Sequence, residues 1–542
     1  FFFKQKTAYE IKECDWSSDM CSSDLLPNCE RLAQSHPRAC SSFIAAPRPS
    51  RWSKHTTRLS NTNDTQRLVR KARTLNAPHT PEPRQSLGLW DAISIIVGIV
   101  VGVSIFKVPS LVISNVSTGW TALGIWFAAG LLALNGALCY AELATRHRHG
   151  GEYTFLTQAF GRPIGFLFGW AQLTGVFSGS IGSMAYVFGD YAVVTFNLPT
   201  DYVPLLALLA IASLTVLHVL GVETSKTVQN ALTIAKVVGL GALLIAGLST
   251  TSVDSLSTAK DIKGPGVGLA WILILYAYGG WNDYAFVAAE LKNPNRNIPR
   301  ALGGGMLAII AIYLLINLAY FRGLGMDGLR ASGTPAVDIM RQSSVLPIAL
   351  QNWSAKAVGV IVMVSALGAV HGLLFTGSRL FAVLGADHPV FARLGRWHAS
   401  LGSPITALVA QASMTGVLVL LVGTEWGRNA VDVAVQCLGR SKIPWSAYFG
   451  GFETLLAATA PVFWAFFVLN SLAVFVLRHR HGTEPTVFRV PFYPLTPLIF
   501  GATSVYMLWQ SLIYAKDLSL LDRKSTRLNS SHIPLSRMPS SA

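Results

Sequence analysis

Long apolar runs separated by short polar stretches fill most of this 542-residue chain. Each run approaches the roughly 20 residues that a helix needs to cross about 30 Å of hydrocarbon. The pattern predicts spanning helices near 89–112, 119–143, 162–194, 203–221, 227–248, 266–289, 302–322, 355–385, 405–422, 457–477 and 493–514, about eleven in all. Two of them do not read as ordinary helices. Gly98-Ile99-Val100-Val101-Gly102-Val103-Ser104-Ile105-Phe106 in the first and Tyr276-Ala277-Tyr278-Gly279-Gly280-Trp281-Asn282-Asp283 in the sixth carry glycine in mid-span. An unpaired backbone N–H or C=O is costly in hydrocarbon, so an interruption survives only where something polar meets the freed groups. In secondary transporters that something is the substrate, held near the midplane by a broken helix from each of two inverted repeats. The first five spans and the next five fit two such repeats, about 87–250 and about 264–480, with an extra span at about 493–514. An odd number of crossings per repeat inverts the second unit relative to the first.

Composition agrees with a lipid-solvated chain, since 51% of residues are hydrophobic and 13% charged, far from an average soluble domain. The formal net charge of +16 changes the picture only through its distribution. About half of the excess lies between 26 and 85, where Arg67, Arg70, Lys71 and Arg73 precede the first span. This reads as a cytoplasmic tail obeying the positive-inside rule, not as a nucleic-acid arm. Later basic loops fit the same orientation, with Arg146 and Arg148, Lys226, Lys292 with Arg296 and Arg300, Arg393 with Arg396, and Arg478 with Arg480 and Arg489; expected outside loops also hold Arg322, Arg330, Arg440 and Lys442, so the bias is clearest in the first half. The loops 113–118 and 195–202 carry no Lys or Arg. The expected location is a plasma (inner) membrane, crossed many times, with the amino terminus inside.

Residues 1–25 and 522–542 resemble translated sequencing adapter and are set apart as probable scars of assembly. Residues 26–86 have the Ser/Thr/Pro/Arg composition of a disordered basic tail. The transporter domain is expected over 87–521, and a twelfth span is expected to be lost where the chain runs into the second scar. The six cysteines show neither a disulfide framework nor a zinc spacing, and no cofactor is expected.

Candidate chemistry concentrates at the two interruptions. A break at Gly102, Val103, Ser104 and Ile105 exposes the N–H groups that open a second half-helix, and those donors with the positive dipole end suit a carboxylate. Close helix packing through small residues explains the same glycines about as well. In the sixth span, the adjacent Gly279 and Gly280 cost about 1 kcal/mol each in helix propensity. A backbone that must unwind there offers carbonyls to an ammonium. Tyr276, Tyr278 and Trp281 flank the break; aromatics so placed can close over a side chain or give a cation a π face, although packing is their commoner role. Asp283 follows, most simply as a first-turn carboxylate complementing the helix dipole. Lys236 lies deep within an apolar span, and an intramembrane lysine is a functional candidate by default. Tyr153 and Ser365 are weaker candidates for a gate and the cavity wall, and His371 reads as hydrogen-bonded structure. No HExxH or Gly-x-Ser-x-Gly motif appears, so an enzyme is not expected.

From Leu87 to Tyr514 the chain resembles the amino acid–polyamine–organocation (APC) superfamily of permeases, in its L-type amino-acid transporter and serine/threonine exchanger branch. The resemblance rests on Gly102-Val103-Ser104-Ile105-Phe106, Cys139-Tyr140-Ala141-Glu142-Leu143, Gly150-Gly151-Glu152-Tyr153 and Gly279-Gly280-Trp281-Asn282. It extends through Leu291-Lys292-Asn293-Pro294-Asn295-Arg296-Asn297-Ile298-Pro299-Arg300 and Arg489-Val490-Pro491-Phe492-Tyr493-Pro494. It implies an all-α polytopic membrane protein of the LeuT type: a 5+5 inverted repeat with helices 1 and 6 broken, working by alternating access on a zwitterionic amino acid held between them. It also implies that Lys236 stands where sodium sits in sodium-coupled carriers and that Tyr276 occupies a gating position. Val103 and Ser104 depart from the family's usual Ser-Gly, which shifts carboxylate recognition toward backbone donors. The loop from Thr195 to Tyr202 lacks the cysteine through which animal members join a heavy subunit, so no disulfide-linked heavy subunit is expected. The expected function is sodium-independent, proton-coupled or exchanging transport of neutral L-amino acids. A cationic amino acid or polyamine antiporter is the alternative within transport, and an amino-acid sensor without appreciable flux is the alternative outside it.

Overall fold

The computed structural model describes residues 85–517, apart from most of 250–265, 343–352, most of 438–450, 482–487 and a few single positions. The expected scars at 1–25 and 522–542 lie outside the described residues, as does the tail from 26 to 84. The described chain is helical from end to end. Among the described residues, eight helices are long and apolar enough to cross a membrane, and the pair Leu89–Val100 and Ser104–Ile113 makes up to nine when its two halves count as one span. The two further spans expected from the sequence are also helical, as Val267–Ala277 running into Trp281–Glu290 and as Leu495–Asp517.

The first span is α1 (Leu89–Val100) and α2 (Ser104–Ile113), bent by 49° at Val101–Val103. The second, α3 (Gly119–Arg146), opens with Thr118, whose hydroxyl accepts the Thr121 N–H at 3.1 Å, a side-chain cap for one donor of the first turn. A short helix α4 (Gly151–Phe160) precedes α5 (Arg162–Ala171) and α6 (Phe177–Phe196). The last two are one span interrupted by a π-helical turn at Gln172–Val176. Then come α7 (Val203–Val219) and α8 (Val222–Ser249).

The second half begins with α9 (Val267–Ala277), a turn at 278–280 and a ten-residue 3-10 helix, Trp281–Glu290. A 3-10 stretch of that length is uncommon, because its hydrogen bonds are poorly aligned, and such stretches mark hinges. The remaining helices are α10 (Pro294–Ala331), α11 (Pro335–Gln342), α12 (Ser354–Asp387), α13 (Ile405–Gly423), α14 (Glu425–Cys437), α15 (Gly451–His481) and α16 (Leu495–Asp517).

Burial sorts these helices into layers. The most apolar stretch of α12 is 72% buried, against 28% for α7 and for α13. A helix that is apolar all round is buried when protein surrounds it and exposed when lipid does, so α12 is central and α7 and α13 face lipid. The broken spans belong to the centre. Leu87 donates to Glu290 O at 3.0 Å and its own carbonyl accepts the Lys292 N–H at 2.9 Å. The chain entering the first broken span is thereby tied to the chain leaving the sixth.

Two ion pairs fix helix ends, one buried on both sides and one joining a buried glutamate to a partly exposed arginine. Arg379 of α12 grips Glu290 at 2.7 Å, with both side chains at most 5% exposed. Arg478 of α15 makes a two-pronged pair with Glu142 of α3 at 2.9 and 2.6 Å, and the same carboxylate accepts the Val490 N–H at 2.8 Å. Such a pair is weak evidence of net stabilisation, yet removing one partner strands a buried charge at a cost of about 3–5 kcal/mol. Arg478→Met should therefore lower the apparent Tm in detergent sharply. The double replacement Arg478→Met with Glu142→Leu should recover much of the loss, as read by a thermal unfolding scan of each purified variant.

Candidate functional site

The two breaks meet. At Gly280 the backbone takes φ +103° and ψ −9°, a left-handed conformation open to glycine at little cost. A Cβ added there would lie 2.8 Å from Ile99 Cγ2 of the opposite broken span. Gly279 has no such backbone demand. Of the two glycines that weaken the sixth span, Gly280 makes the turn and lets the two spans touch. In the first span, Gly98 is required by contact: a Cβ there would fall 1.9 Å from Gln229 Nε2 of α8.

The carbonyls released at the breaks are taken by side chains from three other helices. Lys236 is fully buried on α8 and donates its ammonium to Gly98 O at 2.8 Å. Ser365 of α12, also fully buried, donates to Val101 O at 3.2 Å. The Tyr313 hydroxyl of α10 lies 2.8 Å from Val100 O and 2.9 Å from Ala277 O, so its single proton is shared between the last carbonyls of the two leading half-helices. Lower on α8, Thr233 donates to Ser94 O at 3.1 Å and Asn230 to Asp91 Oδ1 at 2.7 Å. Residues 229, 233 and 236 recur at the spacing of one helix face, and that face is a polar strip laid against α1.

Between the breaks lies a cavity of about 120 Å³ whose walls include Gly102, Ser104, Tyr276, Gly279, Gly280 and Asp283. Gln172, Phe463 and Trp464 also line it. The first-turn amides of α2 at Ser104 and Ile105 have no intrahelical acceptor by geometry. The Gly102 N–H is already spent on Val100 O at 2.7 Å, which moves the free donors from Gly102 itself to the residues after it. Tyr276 O accepts the Gly279 N–H at 2.9 Å and keeps a second lone pair.

The structure brings together six of the expected site residues: Gly102, Ser104, Tyr276, Gly279, Gly280 and Asp283 line the cavity. Val103 and Ile105 are buried beside it. Lys236 and Ser365 stand behind the first break as its hydrogen-bond donors. Tyr278 and Trp281 are placed elsewhere, in the packing. Tyr278 donates to Trp126 O at 3.1 Å and meets the rings of Trp126 and Tyr313; Trp281 is enclosed by Tyr140, Phe467 and Phe500. Tyr153 sits apart, donating to Asp387 Oδ2 at 2.9 Å near His388, a clasp between α4 and the end of α12. His371 is hydrogen-bonded through Nδ1 to Gln229 Oε1 at 2.9 Å.

Tyr313 and Gln172 were not among the residues read from the sequence. The signal was present in both cases, a tyrosine amid Ile312 and Leu314 and a glutamine amid Ala171 and Leu173. Polar groups at such depth need partners or a task.

A multi-pass, all-α membrane transporter is what this architecture and site define. The chain belongs to the amino acid permease family, whose model matches residues 87–527, and within the APC superfamily it falls in the L-type and serine/threonine exchanger branch. It is thus an amino acid permease or exchanger, not an enzyme. The serine/threonine exchanger SteT of Bacillus subtilis (strain 168) is 26% identical over 434 residues, which is 79% of this chain and 92% of that protein. The human b(0,+)-type amino acid transporter 1 is 35% identical over 321 residues, 57% of this chain; the matched part spans 64% of the human protein's length. A solved structure of MHP1, a nucleobase-cation-symport-1 family transporter in a closed conformation, aligns at TM-score 0.46 with 14% identity, over 82% of this chain and 96% of that one.

Gly280→Ala should combine left-handed strain of about 1–2 kcal/mol with collision against Ile99, and should nearly abolish exchange in proteoliposomes. Gly279→Ala should be milder. Tyr313→Phe removes the hydroxyl donor from Val100 O, which keeps the Gly102 N–H, and from Ala277 O, and should slow exchange several-fold, about the effect of losing one buried hydrogen bond. Initial rates at matched reconstituted protein check all three.

Proposed function

We propose that this protein moves neutral L-amino acids by alternating access without sodium, as an exchanger or with a proton. The substrate's α-carboxylate is received by the N–H groups at the start of α2 around Ser104, its ammonium by the carbonyls around Tyr276, and Tyr276 closes over the side chain. The amino terminus faces the cytoplasm of a plasma or inner membrane, as the basic residues ahead of the first span favour.

The observation that supports this most is the position of Lys236. Its ammonium occupies the carbonyl oxygen of Gly98, with the Ser365 hydroxyl on Val101 O nearby. Oxygen ligands of this kind suit a hard cation, and here a tethered cation holds one of them. A carrier whose positive charge is part of the chain has no need to collect it from solution. A lysine amine at this place also offers a route to proton coupling.

The test is uptake and exchange of a labelled amino-acid panel in proteoliposomes at two pH values, with sodium and with choline in its place. Neutral amino acids should exchange at rates that do not change when choline replaces sodium. Transport of no panel member, or strict dependence on sodium, would sink the proposal. Lys236→Ala should lose coupled transport while keeping measurable substrate binding, compared by exchange rate and by ligand-dependent thermal shift; an unaltered rate and pH profile would defeat the role given to the lysine.

A further inference from the structure

Below the breaks, the cavity has a floor made of hydrogen-bond acceptors. Asp283 lines it and is 8% exposed. Its Oδ1 accepts the Asn282 side-chain amide at 2.9 Å, and the same amide donates to Glu152 Oε1 at 2.8 Å. The other oxygen of Glu152, a residue only 1% exposed, accepts the Asn470 amide at 2.9 Å. Two buried carboxylates are thus joined through one asparagine and held by neutral amides. The arginines of the described ion pairs are committed elsewhere, Arg379 to Glu290 and Arg478 to Glu142. The buried amine of Lys236 is given to Gly98 O.

A second observation comes from a different element. Gln172 lines the same cavity, is 3% exposed, and its Oε1 has no hydrogen-bond partner among the described residues. It opens the π-helical turn that interrupts the third span, and π turns inside helices are frequent at functional sites. Phe463 and Trp464, whose rings meet edge to face at 5.4 Å, also line the cavity.

A buried carboxylate met only by a neutral amide and an amide oxygen with no partner are both costly. Water or a proton can meet them in part. A group that only donates meets them fully, and ammonium and guanidinium are the side-chain groups of that kind. Nearby aromatic faces suit the same cation.

We infer that Asp283 and Gln172 form a side-chain subsite for the cationic end of a basic amino acid, with Glu152 linked to Asp283 from behind through Asn282. The inference rests on the reading that the breaks hold the amino acid's α-carboxylate and α-ammonium, and it widens the cargo from neutral to basic amino acids. Asp283 then serves the substrate in addition to standing in the first turn of the 3-10 helix.

The experiment is counterflow in proteoliposomes of the full chain, with labelled arginine and labelled leucine measured in parallel. Wild type should exchange both. In Asp283→Asn, the ratio of arginine to leucine exchange should fall about ten- to hundredfold, the weight of one charge-assisted hydrogen bond, and Asp283→Glu should restore part of it. Gln172→Leu, which leaves the carboxylates in place, should lower the same ratio several-fold and keeps the proposal open to refutation if Asp283→Asn does not fold. A wild type that exchanges leucine but not arginine overturns the subsite, as does an unchanged ratio in the folded variants. Exchange of neither amino acid by wild type strikes the permease reading itself and removes the subsite with it.

Discussion

The structure depends on how the backbone is satisfied where two spanning helices stop. In a water-poor interior, a carbonyl that loses its helical partner must find another donor or destabilise the fold by several kcal/mol. At the first break, the acceptors at Gly98, Val100 and Val101 are met by Lys236, Tyr313 and Ser365. At the sixth, Ala277 is met by the same Tyr313 hydroxyl. These donors come from α8, α10 and α12, so the packing of three continuous helices decides whether the two discontinuous ones can exist. The long buried face of α12 and the polar strip of α8 follow from that requirement.

The same requirement explains where the molecule can bend. Tyr313 spans the breaks with one proton between two acceptors, and a shift of either half-helix moves that proton toward one carbonyl. Farther along the chain, the end of the 3-10 helix is held by Arg379 on Glu290 and by the Leu87 backbone. A ten-residue 3-10 segment lies between the turn and this anchor. Its weaker hydrogen bonds make it the element best able to change length or pitch as the anchor opens or closes. The Tyr153 clasp on Asp387 ties α4 to the same end of α12.

Much of this was legible in the sequence because the bilayer imposes long apolar runs and makes exceptions conspicuous. Glycine in mid-span marked both breaks, and a lysine amid Ala235 and Val237 marked the buried amine. Which glycine turns and which merely packs was not legible. Gly98, Gly279 and Gly280 look alike in sequence, and only the φ of Gly280 and the nearness of Gln229 to Gly98 separate their tasks. The flanking aromatics were equally ambiguous, since a ring is suited to both cavity and core. Tyr276 faces the cavity, whereas Tyr278 and Trp281 two and five positions on turn toward Trp126 and Tyr140. Tyr313 was hidden because its partners lie 213 and 36 residues away, and no periodicity reports such a pairing.

The groups left unmatched say what the site asks for. Around the first break the freed acceptors have internal donors, while the amides that open α2 remain available by helix geometry; that end of the cavity lacks negative charge. At the floor the order is reversed, for Asp283 and Gln172 present acceptors in excess of donors. A cavity with unmet donors at one end and unmet acceptors at the other is complementary to a solute that is anionic at one end and rich in positive charge toward the other. Lys236 does not cancel the acceptor excess at the floor, because its ammonium is held on Gly98 O by the first break. Positive charge for the floor therefore has to come from the cavity side, as water-borne protons or as part of the cargo. The backbone constraint that shapes the fold thus also determines the charge pattern that the cargo must answer.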